Sequence, residues 1–423
     1  MTRVIHTGDT HLGYQQYHEP ARREDFLDAF RQVIDDAVAE NVDAVVHAGD
    51  LFHDRRPTLT DVLGTLSVLE QLDEAEIPLL AVVGNHEAKR DAQWLDLYES
   101  LGLAIRLDDE PHVIGDTAFY GLDFVPRSQR DGLEYEFAPH DADHAALVSH
   151  GQFQPFDYGT WDATRIVEES TVDFDALLLG DEHKPGTKQV EETWLTYCGS
   201  TERASADERD DRGYNIVTFD DDVQITRRGL DTRDFVFVEV ELTEGEGLDR
   251  VTERIGEHDL DDAVVIVHVD GEGDPITPAG IEEYALERGA LVARVTDHRE
   301  FADEREVEVS FADPDEAVRE RVRELGLSEA ARDIDETIRA SKVPDSNVAD
   351  TVEDRVADLV DDGDLAVFHA ADDRDPTPAE VDGGETTPER SGTGDETTTE
   401  SADTDAEATT EDTEDQSTMG EYL

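Results

Sequence analysis

The sequence predicts an α/β fold with more than one sheet, and three observations carry that expectation. Over the first 230 or so residues, short β-branched or apolar runs alternate with helical patterns. Five short motifs rich in Asp, His and Gly stand at the ends of those runs, where α/β sheets place their sites. The composition then shifts near residues 232, 313 and 371, which divides the 423-residue chain into several parts at roughly 150 residues per domain.

In chain order, strands are expected at 3–7, 44–47, 79–83, 118–122, 145–149, 176–179, 195–198 and 214–219. Between the first two, Phe26, Phe30, Val33, Ile34, Ala37 and Val38 recur at helical spacing behind Pro20, a good first-turn residue. The strand-rich stretch that follows points to a second sheet. Residues 232–310 form a second, smaller α/β pattern, with strands at 235–242 and 264–269 and helices at 247–256 and 279–288. Residues 313–361 are Glu/Arg-rich and helical. Val318, Val322 and Leu325 fall on one face, a break follows at Pro344, and Val348, Val352, Val356, Leu359 and Val360 line a second helix. A helix pair of this size has too small a core to stand alone; docking into a partner groove and packing on its own body both remain open. Residues 371–423, rich in Thr, Glu, Asp, Gly and Pro, cannot bury a core and are expected to be disordered.

Lys and Arg number 35 against 107 Asp and Glu, a net charge of −72. The excess acid extends through the segments with apolar strand runs, so it reads as a solvated carboxylate surface on a folded body. Lysine is confined to Lys89, Lys184, Lys188 and Lys342. High acid with little lysine fits a molar-salt, halophilic cytoplasm, in which the Debye length shrinks to ~3 Å; at low salt the self-repulsion destabilises the fold. Cys198 is the one cysteine and excludes an intrachain disulfide framework. The longest apolar run, 77–84, is far below the ~18 residues of a membrane span. The chain reaches its first motif at Asp9, which leaves no room for a cleavable signal. The expectation is a cytoplasmic, nucleoid-associated protein with no membrane partner.

The five motifs are Gly8-Asp9-Thr10-His11, Gly49-Asp50, Gly84-Asn85-His86, Ser149-His150-Gly151 and Gly180-Asp181-Glu182-His183. Singly, each is explained by a capped turn. As an ordered set of five they are not. Oxygen and nitrogen donors of intermediate hardness suit Mn²⁺, Fe²⁺ or Zn²⁺ better than Ca²⁺. Seven donors exceed one tetrahedral site and suit two ions that share a carboxylate. On these residues the chemistry is metal-dependent phosphoester hydrolysis.

The ordered motifs resemble the calcineurin-like binuclear metallophosphoesterase superfamily. More narrowly, 8–13, 49–54 and the run Tyr197-Cys198-Gly199-Ser200-Thr201-Glu202-Arg203 resemble the archaeal DNA double-strand break repair nucleases that partner an SMC-like zinc-hook ATPase. The resemblance implies a two-sheet αββα sandwich over 1–231 and a DNA-binding capping domain over 232–310. It also implies an ATPase-docking helix-loop-helix over 313–361, ahead of the acidic tail. One metal, Mn²⁺ by this reading, would be held by Asp9, His11, Asp50 and His183. A second would be held by Asp50, Asn85, His150 and Asp181. His86 would be the acid beside the scissile phosphate, with His53 a nearby phosphate or leaving-group contact. The implied activities are 3′→5′ exonuclease on duplex DNA and endonuclease on single strands, acting on DNA ends as a homodimer. The family's last motif usually begins with Gly-His; Asp181 takes that histidine's place here, adding a negative charge and a harder donor. Two other readings share the motifs: a phosphatase or cyclic-nucleotide phosphodiesterase, which has no use for 232–361, and a non-catalytic scaffold disabled by Asp181.

A chain this acidic needs local positive charge to hold DNA. Arg55, Arg56, Lys89, Arg90, Lys184 and Lys188 follow the metal-type motifs closely and predict a basic rim. At the C-terminus, Gln416, Met419, Tyr422 and Leu423 resemble a sliding-clamp-binding box tethered by the tail.

Overall fold

Alternation along each strand builds the layers. On β1 (Thr2–Thr7), Val4 points into one apolar cluster and Ile5 into another; on β2 (Ala44–His47), Ala44 and Val46 join the first and Val45 the second. The structure, a computed structural model, describes residues 1–89, 92–157, 159–299 and Ala331. Apart from residues outside that set, it shows two six-stranded sheets face to face with helices on their outer sides.

Following β1, α1 (Pro20–Glu40) and β2 come α2 (Leu59–Glu74), β3 (Leu79–Ala81), α3 (Trp94–Ser100), β4 (Ile105–Arg106), β5 (His112–Ile114) and β6 (Thr117–Leu122). Next are β7 (His144–His150), β8 (Phe153–Gln154), β9 (Trp161–Asp162), α4 (Ala163–Glu169), β10 (Ala176–Gly180), β11 (Gly186–Val190), β12 (Thr193–Tyr197), β13 (Gly213–Phe219) and β14 (Val223–Gly229). The first sheet runs β14-β13-β1-β2-β3-β4 and the second β11-β12-β10-β7-β6-β5. Between them Val4, Val46, Leu80, Phe119, Val148, Leu178 and Phe219 interdigitate. Phe30, Val33, Ile34 and Ala37 of α1 pack on the outer face of the first sheet, and Ile166 of α4 lies in the cluster on the outer face of the second. Each fully buried Val, Leu, Ile or Phe among them contributes about 1.5–3 kcal/mol. Pro20 opens α1 at its first turn, as expected.

Boundaries differ from the sequence reading at several strand ends. The third strand stops at Ala81, although Val82 and Val83 stay buried, and the 195–198 strand occupies Thr193–Tyr197 because the chain turns at Gly199, φ +73°. The half-exposed β11 and β14 and the helix α2 were not singled out by periodicity.

Beyond the body, β15 (Phe235–Leu242), α5 (Leu248–Ile255), β16 (Val264–Gly271), α6 (Pro278–Glu287) and β17 (Val292–Asp297) form a parallel three-stranded sheet. Both helices pack on one face of it around Val240, Val251, Val267 and Ile281. Its other face meets the body at Phe235, Ile266 and Val292, beside Tyr17 and Ala206. Arg233 forms a bidentate pair with Asp25 of α1 at 2.6 and 2.8 Å, and the fully buried Arg22 joins Asp25, Glu202 and the Arg203 carbonyl. All of this belongs to the first of two units of the chain, Met1–Ala371. The second, Asp372–Leu423, and, Ala331 apart, the expected helix pair at 313–361 lie outside the described residues. No described helix is long and apolar enough to cross a membrane.

Candidate metal centre

Parallel pairing sets the site. β1, β2 and β3 run side by side in one direction, so Asp9, Asp50 and Asn85 leave the same edge of the first sheet. β7 and β10 are likewise parallel, with His150 in register with Gly180, which brings His150 and Asp181 to one edge of the second sheet. The two edges meet. The Asp9 amide donates to the Gly49 carbonyl at 3.0 Å, the His11 amide to the Asp50 carbonyl at 3.0 Å, and the Asp181 amide to both Asp9 carboxylate oxygens at 3.0 and 3.2 Å.

The approach is close enough to explain the glycines. A Cβ on Gly84 would lie 2.1 Å from Asp50 Oδ1 and 2.3 Å from its amide nitrogen, and one on Gly180 would lie 2.2 Å from the Ala48 carbonyl oxygen. Asp9, His11, Asp50 and Asp181 all adopt positive φ (48°, 43°, 56° and 91°). Side chains avoid this backbone unless the surroundings hold it, and such strain concentrates at functional sites.

All seven predicted donors converge. His11 Nε2 lies 3.0 Å from His183 Nε2 and 3.8 Å from Asp50 Oδ2. His150 Nε2 lies 2.8 Å from Asn85 Oδ1, 3.5 Å from Asp50 Oδ1 and 3.6 Å from Asp181 Oδ1. Asp9, His11 and His183 offer one compact set of ligand atoms, and Asp9, Asp50 and His150 another. Asp50 thus stands between the two groups, within 4 Å of both His11 and His150.

This donor set calls for positive charge. Burial raises Asp9 above the ordinary carboxylate range, and it raises Asp181 as well. Burial opposes a charge on His150, yet Asp50, Asp181 and Asp9 outweigh it and lift His150 to about 9. Burial likewise opposes His183, which the Glu208 carboxylate lifts to about 9. His11, buried beside four other imidazoles, is driven well below its usual value. Three carboxylates pressed together in a largely buried cleft with convergent imidazoles are a site that divalent cations relieve, and the residues fit two ions.

His53 and His86 border His11, with ring centroids 5.5 and 4.9 Å away. The His86 Nδ1–H donates to the His53 carbonyl at 2.9 Å, and its amide donates to Asp50 Oδ1 at 3.0 Å. Burial pushes His53 down to about 3, so its ring is neutral. His6 and His47, on the strands that lead into the first two motifs, are fully buried; His47 Nε2 lies 3.0 Å from Thr10 Oγ1.

The basic residues are more varied. Arg56 and Lys184 are exposed and Arg55 is half-buried. The Lys89 ammonium sits 3.9 Å above Trp94, and Lys188 donates to the Pro155 carbonyl at 2.6 Å. Arg90 and the four residues of the clamp-like box lie outside the described residues. Sequence reading missed Glu208, 2.7 Å from His183 Nδ1; Tyr14, stacked on His53 at 3.9 Å; and Glu87, buried and bonded to the Phe52 amide. Glu87 lies next to a motif, and its place directly after His86 was the available signal.

Two sheets whose joined edges present this set define a calcineurin-like phosphoesterase, and the family model of that description matches residues 2–185. The chain is 62% identical to the DNA double-strand break repair protein Mre11 of Haloferax volcanii, over 90% of this chain and 87% of that one. It is 59% identical to the Halobacterium salinarum protein of the same name, over 90% and 99%. The Methanosarcina acetivorans protein is 43% identical over 85% of this chain and 61% of its own length. This chain belongs to the Mre11 family of archaeal double-strand break repair proteins.

Proposed function

We propose that this chain is a metal-dependent DNA repair nuclease that hydrolyses phosphodiester bonds at double-strand breaks, using Mn²⁺, as a 3′→5′ exonuclease on duplex ends and an endonuclease on single strands. The observation that carries the reading is the convergence of all seven donors, with His86 at their border, in a chain of this family. Asp9, His11, Asp50 and His183 would hold one ion, and Asp50, Asn85, His150 and Asp181 the other. Bound there, divalent ions supply Lewis acidity toward phosphate oxygens and lower the pKa of the attacking water.

The chain's own residues do the rest. The His53 carbonyl accepts from His86 Nδ1–H, which leaves Nε2 as the atom that exchanges protons. His86 Nε2 gives its proton to the departing 3′ oxygen and recovers one from solvent. His53, neutral and held against Tyr14, offers a hydrogen bond to phosphate without adding charge. Asp181 would hold the second ion as a carboxylate, a harder donor than imidazole. Arg55, Arg56, Lys89, Lys184 and Lys188 would meet the DNA backbone, with Arg90, outside the described residues, joining them by its place in the sequence, and the 235–297 sheet would cap the bound DNA.

The partners follow from the resemblance. A second copy would cover Leu59 and Leu63 of α2 and Leu97 and Leu101 of and beside α3, which are 72, 53, 38 and 54% exposed. The 313–361 segment would dock an SMC-like zinc-hook ATPase, and Gln416, Met419, Tyr422 and Leu423 a sliding clamp. A clamp pull-down with the full chain and its Tyr422→Ala variant tests the last.

The deciding experiment is degradation of end-labelled duplex DNA in ~2–3 M KCl, where surface charge is screened, with Mn²⁺ and, separately, Mg²⁺ or Co²⁺. His86→Ala is expected to lose about 10²–10⁴ in rate while binding metal normally. Equal rates in variant and wild type would overturn the assignment of His86, and a rate independent of divalent ions would overturn the nuclease reading.

A further inference from the structure

We infer that Glu208 is a positioning residue for the metal centre, holding His183 in the orientation and tautomer that binds a divalent ion. The inference rests on the reading of His183 as a ligand. Glu208 is 25 residues from His183 in sequence and lies on the loop between β12 and β13. Its Oε1 accepts from His183 Nδ1–H at 2.7 Å. That bond fixes the tautomer: with Nδ1 protonated and engaged, Nε2 is the atom that turns to the cleft, where it lies 3.0 Å from His11 Nε2.

Glu208 is itself held. Its Oε2 accepts from Arg212 Nη1 at 2.9 Å and from the Ala204 amide at 3.0 Å. Arg212, nearly fully buried, also donates to Ser200 Oγ at 3.0 Å and to the His183 carbonyl at 3.3 Å. One Glu–Arg pair therefore grips His183 by side chain and main chain together. His183 needs such a grip because it follows β10 by three residues and no strand ladder holds it. His150, by contrast, ends β7 and donates Nδ1–H to the Ala48 carbonyl at 2.8 Å. A carboxylate behind an imidazole also increases its basicity as a ligand, and losing such a partner typically weakens metal binding ~10–100-fold.

The test is a titration of the metal-free full chain with Co²⁺ alone in ~2–3 M KCl, followed by its visible absorption and by calorimetry, for wild type, Glu208→Ala, Glu208→Gln and His183→Ala. Thermal unfolding without metal shows whether each variant is folded. His183→Ala is expected to lose one of two ions. Glu208→Ala is expected to keep both ions but bind one ~10–100-fold more weakly, with an altered absorption band. Glu208→Gln, which keeps an oxygen for Nδ1–H and not the charge, is expected to fall between Glu208→Ala and wild type. Wild-type affinity and spectrum in either Glu208 variant, with His183→Ala still losing an ion, would overturn the positioning role. Two ions retained in His183→Ala would instead overturn the ligand reading beneath it.

Discussion

The two walls of the metal cleft are held by different means. The inner wall, Asp9, Asp50 and His150, is buried and anchored by main chain: Gly49, Ala48 and the amides of Asp181 and His86 supply its partners. The outer wall, His183, His53 and His86, is partly exposed and lies in loops. There His183 leans on Glu208, and His53 on the Tyr14 ring. An inner wall made from sheet edges moves only if the sheets move, whereas an outer wall made from side chains can be loosened one contact at a time. The outer wall is also the one next to the three-stranded sheet of 235–297: Arg209, adjacent to Glu208, pairs with Glu239 of β15.

The largest effect is therefore expected inside. In Gly84→Ala the new Cβ meets the Asp50 carboxylate and amide at 2.1 and 2.3 Å, and neither can retreat without breaking the strand-end turn. Overpacking of this kind costs about 1–3 kcal/mol, and displacing Asp50 disturbs both donor groups. Unfolding in molar KCl should show that loss, and Co²⁺ titration should show both ions weakened. Weakening of one ion alone would break the picture of Asp50 as the element common to both groups.

Acid probes the layer behind the inner wall. Burial pushes His6 and His47 down to about 3 from an ordinary 6.5. Between those values the unfolded chain binds more protons than the folded one, so stability falls as pH drops through that window. At pH 5 each contributes about 2 kcal/mol of the loss. His6→Leu should flatten the dependence between pH 7.5 and 5 by about that amount. An unchanged slope in denaturant unfolding would show that His6 is not buried neutral.

What the sequence made legible divides along the same line. The inner-wall residues follow apolar strands directly, each after a small residue, so the local pattern of strand, turn and donor displays them. His183 was visible because it shares a motif with Asp181. Glu208 was not, since it sits in the acid-rich run Asp207-Glu208-Arg209-Asp210-Asp211 of a chain with 107 acids, and its meaning comes from a contact across 25 residues. Arg22 was hidden for a related reason: it lies among the charges of α1, and the fold alone buries it against Glu202 and Asp25. The edge strands β11 and β14 alternate half-exposed with exposed residues, which weakens the period-two signal that marks the central strands. The helices α5 and α6 were clear from spacing because each is amphipathic over one sheet, and Gly247 and Gly256 flank α5 as its caps.

Tyr14 gives the smallest expected effect and the most specific one. Its ring lies 3.9 Å from that of His53 at 22° and is tilted 5.4 Å from Phe26 of α1, so it holds His53 against the body by stacking alone. An aromatic pair of this kind contributes about 0.5–1.5 kcal/mol. Tyr14→Leu fills much of the space without the flat face, and the rate on duplex DNA should fall by roughly three- to tenfold if that energy is lost in holding His53. Co²⁺ affinity should stay at wild type, because the bond Tyr14 makes to a donor residue is its main-chain amide to the His11 carbonyl at 3.1 Å, which leucine keeps. Tyr14→Phe keeps the ring and should keep the rate. If Tyr14→Leu weakens the metal as well, the outer wall is a single coupled unit and the contrast drawn between its separate contacts fails; if Tyr14→Phe alone slows the reaction, the phenol oxygen and not the stack is what His53 requires.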